Sequence, residues 1–240
     1  MRVLFIGAHP DDCEFFCAGT LAKYAARGDD ITIAISTNGN IGSMRHERKE
    51  DIAAIRHVEA QNACDIIGAK LIWMDIDDEY VIDSRQTRDM FIDVVRRARP
   101  DVMFTTWKMK DYNPDHDITG YMAFIARINS TIKLIKTEHP PTEKIPVMFY
   151  CQPTGGANFI PEYYVDVTET MDTKVAMWMA HKSQNEEWAD DMFHVDILKM
   201  MKDNCAYFAN QTGSSSKYSE VFRLCNTFPI GAAEPHKLLP

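Results

Sequence analysis

In the first half of the chain, short β-branched apolar runs alternate with longer segments of helical periodicity, and that alternation leaves few folds open. Arg2 to Gly7 reads as a buried strand closed by a glycine. Residues 14–27 then carry Phe15, Ala18, Leu21, Ala22 and Ala25 at helical spacing, and Gly28 supplies the stop. A second strand over 31–35 leads through a Gly- and Asn-rich loop, 36–43, into a long helix ending at Ile67 with Gly68 as its cap. Residues 71–74 make a third strand and 75–83 an acidic loop. Ser84 is placed as the N-cap of a helix running to Ala98, and 101–105 is a fourth strand. Strands separated by helices of this length imply an α/β fold with parallel, right-handed βαβ units. The loops after the four strands then share one edge of the sheet.

Beyond Ile135 the rhythm changes. Residues 137–146 form a Pro-containing connector. Strands are expected at 147–150 and 163–167 around the Gly155-Gly156 loop, and helices at 172–182 and 188–208. The polar stretch 210–219 reads as a mobile loop. With no repeat and no sharp change of composition, the chain is expected to be a single domain over 1–240: a core over 1–136 and an extension over 137–240 that completes the pocket.

The net charge of −9 comes without a Lys/Arg stripe, which argues against a nucleic-acid partner. No apolar run approaches the roughly 18 residues of a membrane span, and the N-terminus lacks the pattern of a signal peptide. The six cysteines show no paired Cys-x-x-Cys spacing, so buried free thiols in a reduced, cytoplasmic protein are expected.

Ala8-His9-Pro10-Asp11-Asp12-Cys13-Glu14 crowds one imidazole and three carboxylates onto the end of the first strand, where open α/β sheets hold ligands. Asp111-Tyr112-Asn113-Pro114-Asp115-His116-Asp117 follows the fourth strand, and the topology carries it to the same edge. His9, Asp12 and His116 would supply two imidazoles and a carboxylate to a divalent metal, leaving one position open, as in catalytic zinc centres. Asp11, adjacent to a ligand yet free, is the candidate base for a water proton. Without a cation, acids packed so closely would repel one another. His181 is expected either to cap its helix or to line the site. His46, His57, His139, His194 and His236 read as solvated or structural, and methionines 171, 177, 179, 192, 200 and 201 as core filler on helices. Gly155-Gly156 lacks any phosphate-loop spacing and reads as a turn that lets backbone approach the pocket.

These residues resemble the zinc-dependent N-deacetylases of the LmbE-like, or PIG-L, family. Ala8-His9-Pro10-Asp11-Asp12-x-Glu14 with Gly19-Thr20-Leu21, and Pro114-Asp115-His116, carry the resemblance. Arg56-x-x-Glu59-Ala60, Gly68, Asp78-Glu79, His181-Lys182-Ser183-Gln184 and Ser219-Glu220-x-Phe222 extend it to about residue 224. The resemblance implies a Rossmann-like, mostly parallel sheet flanked by helices, with Zn2+ (or Fe2+ or Co2+) on His9, Asp12 and His116 and Asp11 as base. It further implies Asp115 as an outer partner orienting an imidazole, and Arg56 and Asp78 facing substrate hydroxyls. His181 is counted with these substrate-facing residues. One departure stands out: the second motif of the family usually begins with a histidine, and this chain has Asn113 there. An amide donates a hydrogen bond to an oxyanion but shuttles no proton near neutral pH, so Asn113 is expected as an oxyanion donor.

The function implied is hydrolysis of an acetamide on an N-acetylglucosamine-type amino sugar or conjugate, a small-molecule substrate. An amidase for a different acyl group and a metal-bound but silent binding protein are the competing readings. The sequence leaves open whether the protein is a homo-oligomer.

Overall fold

The computed structural model describes residues 1–109, 111–156 and 158–240. Seven strands form one sheet in the order β3-β2-β1-β4-β5-β7-β6. They are β1 (Arg2–Gly7), β2 (Asp30–Thr37), β3 (Lys70–Ile76), β4 (Val102–Thr105), β5 (Val147–Cys151), β6 (Tyr163–Asp166) and β7 (Ser219–Leu224). The five strands from β3 to β5 pair in parallel, and β7 runs antiparallel to both β5 and β6. The expected mostly parallel α/β sheet is therefore present.

Alternation along the strands fixes two cores. Val3 and Phe5 of β1 face one side with Ile31, Ile33 and Ile35 of β2 and Phe104 of β4. Leu4 and Ile6 face the other with Met103 and Met148. The first side is covered by α2 (Ala18–Ala26), α3 (Lys49–Ile66) and α6 (Met171–Met179), and the second by α4 (Arg85–Ala98) and α5 (Pro114–Asn129). The chain winds from β1 outward to β2 and β3, then crosses to β4 on the opposite flank of β1. Strand order thus reverses between β1 and β4, the place where a crevice opens at the C-terminal edge of such sheets.

Ser84 caps α4 as expected, accepting from the Thr87 amide at 3.1 Å. Three expectations need correction. The helix over 14–27 is broken at Cys17 into α1 (Asp12–Phe16) and α2. Buried Glu220, from β7, accepts from the amides of Gly19 (2.9 Å) and Thr20 (2.7 Å) at the start of α2. Buried Lys174, from α6, donates to the Phe15 carbonyl at the end of α1 (2.9 Å) and to Glu220 (2.6 Å). This ion pair satisfies helix-end groups on both sides of the break, where a continuous helix would have satisfied them internally.

The helix expected over 188–208 is two elements: a π-helical segment, Ser183–Phe193, and α7 (Ile197–Gln211). They meet at left-handed His194, and Asp196 caps the second by accepting from the Lys199 amide at 2.8 Å. The third correction is β7, which begins inside the stretch read as loop. Of the six helix methionines, Met171, Met177 and Met201 fill the core, whereas Met179, Met192 and Met200 are exposed. All six cysteines are free and buried. Among the described residues no helix is long and apolar enough to cross a membrane.

Candidate metal centre

The end of β1 is held by threonines of its neighbours: Thr37 donates to the Ala8 carbonyl at 2.9 Å and Thr105 to the Ile6 carbonyl at 2.9 Å. The turn after it brings Asp12 back under the strand, where Oδ2 accepts from the amides of Ala8 (2.7 Å) and His9 (3.0 Å). A Cβ on Gly7 would lie 3.0 Å from that of Asp12 and 2.7 Å from the Phe5 ring, so only glycine leaves room for this fold-back. One carboxylate oxygen is thereby consumed and the other, Oδ1, points outward.

On the other side of the crevice, Asn113 caps α5, its side-chain oxygen accepting from the Asp115 amide at 2.8 Å, and Pro114 takes the first helical position. Gly120 lets this helix settle on the end of β4; a Cβ there would come 2.4 Å from the Thr106 carbonyl oxygen. His116, in the first turn, is carried to the mouth of β1.

Three donor atoms converge as a result. His9 Nδ1 lies 3.0 Å from His116 Nε2, His116 Nε2 lies 3.2 Å from Asp12 Oδ1, and His9 Nδ1 lies 3.8 Å from Asp12 Oδ1. A tetrahedral ion with bonds of about 2.0–2.1 Å sets its ligands roughly 3.3 Å apart, which this triangle matches. The far nitrogens each face a carboxylate. His9 Nε2 faces Asp78 Oδ1 at 3.0 Å, and His116 Nδ1 faces Asp111 Oδ2 at 3.2 Å. With a proton on each far nitrogen, the inner nitrogens and Asp12 Oδ1 would be three acceptors aimed at one point, an arrangement that a cation satisfies. The donor set fits a divalent metal.

Protons take the ion's place when none is bound. Burial alone would lower both imidazoles, but Asp12 and Asp78 hold His9 well above its ordinary value. Asp12 and Asp111 likewise push His116 up to about 9 against its burial. Burial would raise Asp12, yet the facing His116 and His9 hold it well below the usual carboxylate range. His116 is therefore protonated up to about pH 9 when no ion is bound, and an entering ion must displace that proton. Ion uptake at pH 7 is expected to release roughly one to two protons, with apparent affinity rising with pH. Calorimetry in buffers of different ionisation heat reads this directly; uptake without proton release would contradict it.

Asp11 turns away from the triangle and is partly exposed. Its Oδ1 accepts from Arg56 Nη2 at 3.2 Å. Arg56 is buried; it also donates to the Gly39 carbonyl at 3.3 Å and lies 3.9 Å from Asp78 Oδ2. The 39–42 turn packs directly on the guanidinium: a Cβ on Gly39 or Gly42 would come within 2.4 or 2.5 Å of Nη1.

The structure thus brings His9, Asp11, Asp12, Arg56, Asp78, Asp115 and His116 together, with several duties exchanged. Asp78, expected to face substrate, faces His9. Asp115, expected to orient an imidazole, accepts from the amides of Glu79 (2.7 Å) and Val81 (3.1 Å) and so pins the loop bearing Asp78, remaining 3.9 Å from His9. Two non-glycine residues sit at positive φ here, Asp75 near the end of β3 (60°) and Glu79 on that loop (67°). Asn38 and Asn40 tie it down further through Asp75 (3.2 Å) and Asp77 (2.9 Å).

Asn113 is not turned toward an oxyanion position: its amide nitrogen donates to Glu79 Oε1 at 2.7 Å while its oxygen caps the helix. His181 neither caps its helix with its side chain nor lines the mouth. It is fully buried, with Nε2 3.3 Å from Glu14 Oε2. The residue missed altogether is Asp111, which also accepts from the Thr154 amide at 3.3 Å. It stands in the quoted second cluster, and its spacing of five before His116 is the only sequence trace of the pairing. The remaining histidines are elsewhere: His57 packs on Trp73 and His139 pairs with Asp93, while His46, His194 and His236 are exposed.

The triangle of possible ligand atoms thus lies at a sheet switch point, with the Asp11 carboxylate held beside it by Arg56. The chain matches the family described as PIG-L, GlcNAc-PI de-N-acetylase, over residues 4–126. It is 27% identical over 197 residues to a diacetylchitobiose deacetylase of Thermococcus kodakarensis, covering 78% of this chain and 71% of that protein. It is 26% identical over 196 residues to a 4-oxalmesaconate hydratase of Pseudomonas putida, covering 77% and 74%. Its fold superposes on the N,N'-diacetylchitobiose deacetylase of Pyrococcus horikoshii with a TM-score of 0.80 at 23% identity, over 92% of this chain and 82% of that one. With the profile spanning both histidine clusters and the parallel core between them, the chain belongs to the PIG-L family of de-N-acetylases.

Proposed function

We propose that this protein is a divalent-metal-dependent hydrolase that removes the acetyl group from an N-acetylglucosamine-type amino sugar or its conjugate. The observation that carries the reading is the pairing of three convergent ligand atoms with a fourth group, Asp11, that is adjacent, ionisable and not a ligand. His9, Asp12 and His116 would hold the ion, which when bound supplies a Lewis acid that acidifies water and polarises a carbonyl.

Everything else falls to the chain's own side chains. Asp11 takes a proton from the attacking water and returns it to the amine nitrogen as the C–N bond breaks, giving acetate and a free amine. One group serves both steps, because Asn113 transfers no proton and is held by Glu79. Arg56 fixes the Asp11 carboxylate in place. Asp78 and Asp111 fix the tautomers of the two imidazoles.

Purified protein should release acetate from N-acetylglucosamine compounds, lose that activity to a chelator, and regain it with Zn2+, Fe2+ or Co2+. Tight ligand retention with no turnover under any of these metals would favour a silent binding protein. Turnover confined to other acyl groups would favour the amidase reading.

A further inference from the structure

Arg56, Asp78 and His181, the residues expected to face a substrate, are all buried, at 3%, 5% and 0% exposed. Arg56 donates to Asp11 and to the Gly39 carbonyl, Asp78 faces His9, and His181 faces Glu14. Selecting one hydroxylated ring over another takes a polar group that the ring can reach, held at a fixed point. The residue after Asp78 has these properties.

Glu79 is exposed, and two residues of the second histidine cluster fix its place. Asp115 Oδ2 accepts from the Glu79 amide at 2.7 Å and lies 3.9 Å from His9 Nε2, so a single carboxylate separates this stretch of backbone from a ligand of the centre. Asn113 caps the helix that carries His116 with its side-chain oxygen, and its Nδ2 donates to Glu79 Oε1 at 2.7 Å. The cap dictates which way the amide points, so Asn113 acts as a bracket holding the carboxylate beside the first turn of α5. Among the described residues no cation pairs with Glu79, and Asn113 alone donates to its side chain, which leaves Oε2 to accept from a ligand.

This placement carries a conformational cost. Glu79 sits at φ 67°, in the left-handed region where a Cβ is disfavoured and glycine is the ordinary occupant. The turn presents the amides of Glu79 and Val81 to the same Asp115 carboxylate, at 2.7 and 3.1 Å. A glycine would serve that backbone without strain. What the side chain adds is a carboxylate at a set position on the rim, and strain of this kind is a feature of sites where a side chain has a task.

We propose that Glu79 is a specificity-determining residue of this centre: its Oε2 accepts a hydrogen bond from a ring hydroxyl of the amino sugar, while Asn113 holds the carboxylate in position. The proposal rests on the deacetylase reading and deepens it, because it names what selects a hydroxylated ring over any other acetamide. A charge-assisted bond of this kind vanishes with an analogue that lacks the hydroxyl.

The test crosses two proteins, wild type and Glu79→Gly, with N-acetylglucosamine and its 3-, 4- and 6-deoxy analogues, all with metal loaded. For wild type, one of the three analogues should lose about 10–100-fold in kcat/KM, chiefly through KM. Glu79→Gly should lose a similar factor on the parent sugar and show no further loss on that same analogue. Its metal content should be unchanged, and its melting temperature should stay within about 3 °C, relief of the left-handed strain offsetting the lost Asn113 bond. Glu79→Gln, which still accepts from Asn113 but carries no charge, should fall between the two. Losses that multiply, with each analogue penalised equally in both proteins, would show that no hydroxyl meets Glu79 and would overturn the proposal. Wild-type kinetics for Glu79→Gly would do the same. Loss of metal and of thermal stability along with activity would make Glu79 a structural clasp, again overturning it while leaving the deacetylase reading intact. No acetate from any sugar with the wild-type protein would remove both.

Discussion

Asp11→Asn should lower kcat by about 10²–10⁴-fold while metal content and fold stay as they are, the range expected for losing a general base. The separation of effects follows from geometry. Asp11 is not one of the three convergent ligands, and an asparagine of equal size still offers its oxygen to Arg56, now 3.2 Å from the carboxylate. What disappears is the capacity to accept a water proton and return it to the amine. His116→Ala, in contrast, should lose the ion together with activity, because it deletes one corner of the triangle. Metal analysis beside single-turnover acetate release distinguishes the two variants. Full turnover by Asp11→Asn would remove that residue from the chemistry and leave the proposed mechanism without a base.

Lys174→Met should destabilise the fold by about 3–5 kcal/mol, the usual cost of stranding one member of a buried ion pair. For a chain of this size the melting temperature should drop by on the order of 10 °C. Lys174 is fully buried, and burial would lower its pKa. The Glu220 charge more than offsets this and holds the ammonium above its ordinary value. A raised pKa means that the stabilisation is complete below the unfolded value and lost only as pH climbs past the folded one, so it persists through moderately alkaline solution.

Removing the ammonium leaves the Glu220 carboxylate buried with only the Gly19 and Thr20 amides as donors, and leaves the Phe15 carbonyl without the Lys174 bond. The double change Lys174→Met with Glu220→Gln should recover much of the loss, since it removes both charges. A single-variant loss below about 1 kcal/mol would show that water reaches the pair, as at exposed ion pairs.

Local signals were legible and tertiary pairings were not. Strand β1 and its closing glycine, the Ser84 cap, and the convergence of His9, Asp12 and His116 all follow from periodicity, turn chemistry and parallel topology. Each depends on neighbours in sequence or on the rule that βα loops share an edge. Which carboxylate faces which imidazole is a different kind of fact. Asp78 and Asp111 each reach a ring across a loop, while Asp115, adjacent to His116, instead pins the Asp78 loop. No spacing rule distinguishes these options.

The break at Cys17 was invisible for a similar reason. The group that answers the α2 amides lies some two hundred residues downstream, so the local pattern read as one helix. Strand β7 was hidden because buried Glu220 interrupts the apolar alternation that marks strands elsewhere. The left-handed turn at His194 leaves no such trace, and the long apolar spacing ran across it.

Residues 137–240 contribute no donor to the metal triangle, yet they grip the half that does. Ser183 gives its amide (2.8 Å) and hydroxyl (2.6 Å) to buried Glu59 on α3, and Gln184 reaches the Gly42 carbonyl at 3.1 Å. Arg45 clasps Asp191 in the π-helical segment. A minimal scaffold trimmed to the ligand-bearing half would therefore keep its whole coordination chemistry on paper while stranding Glu59 in the interior and leaving the Gly19 and Thr20 amides without their Glu220 acceptor. Engineering that transplants this centre has to carry the 181–184 turn along with it, whereas the exposed 213–217 bend is free to be redesigned.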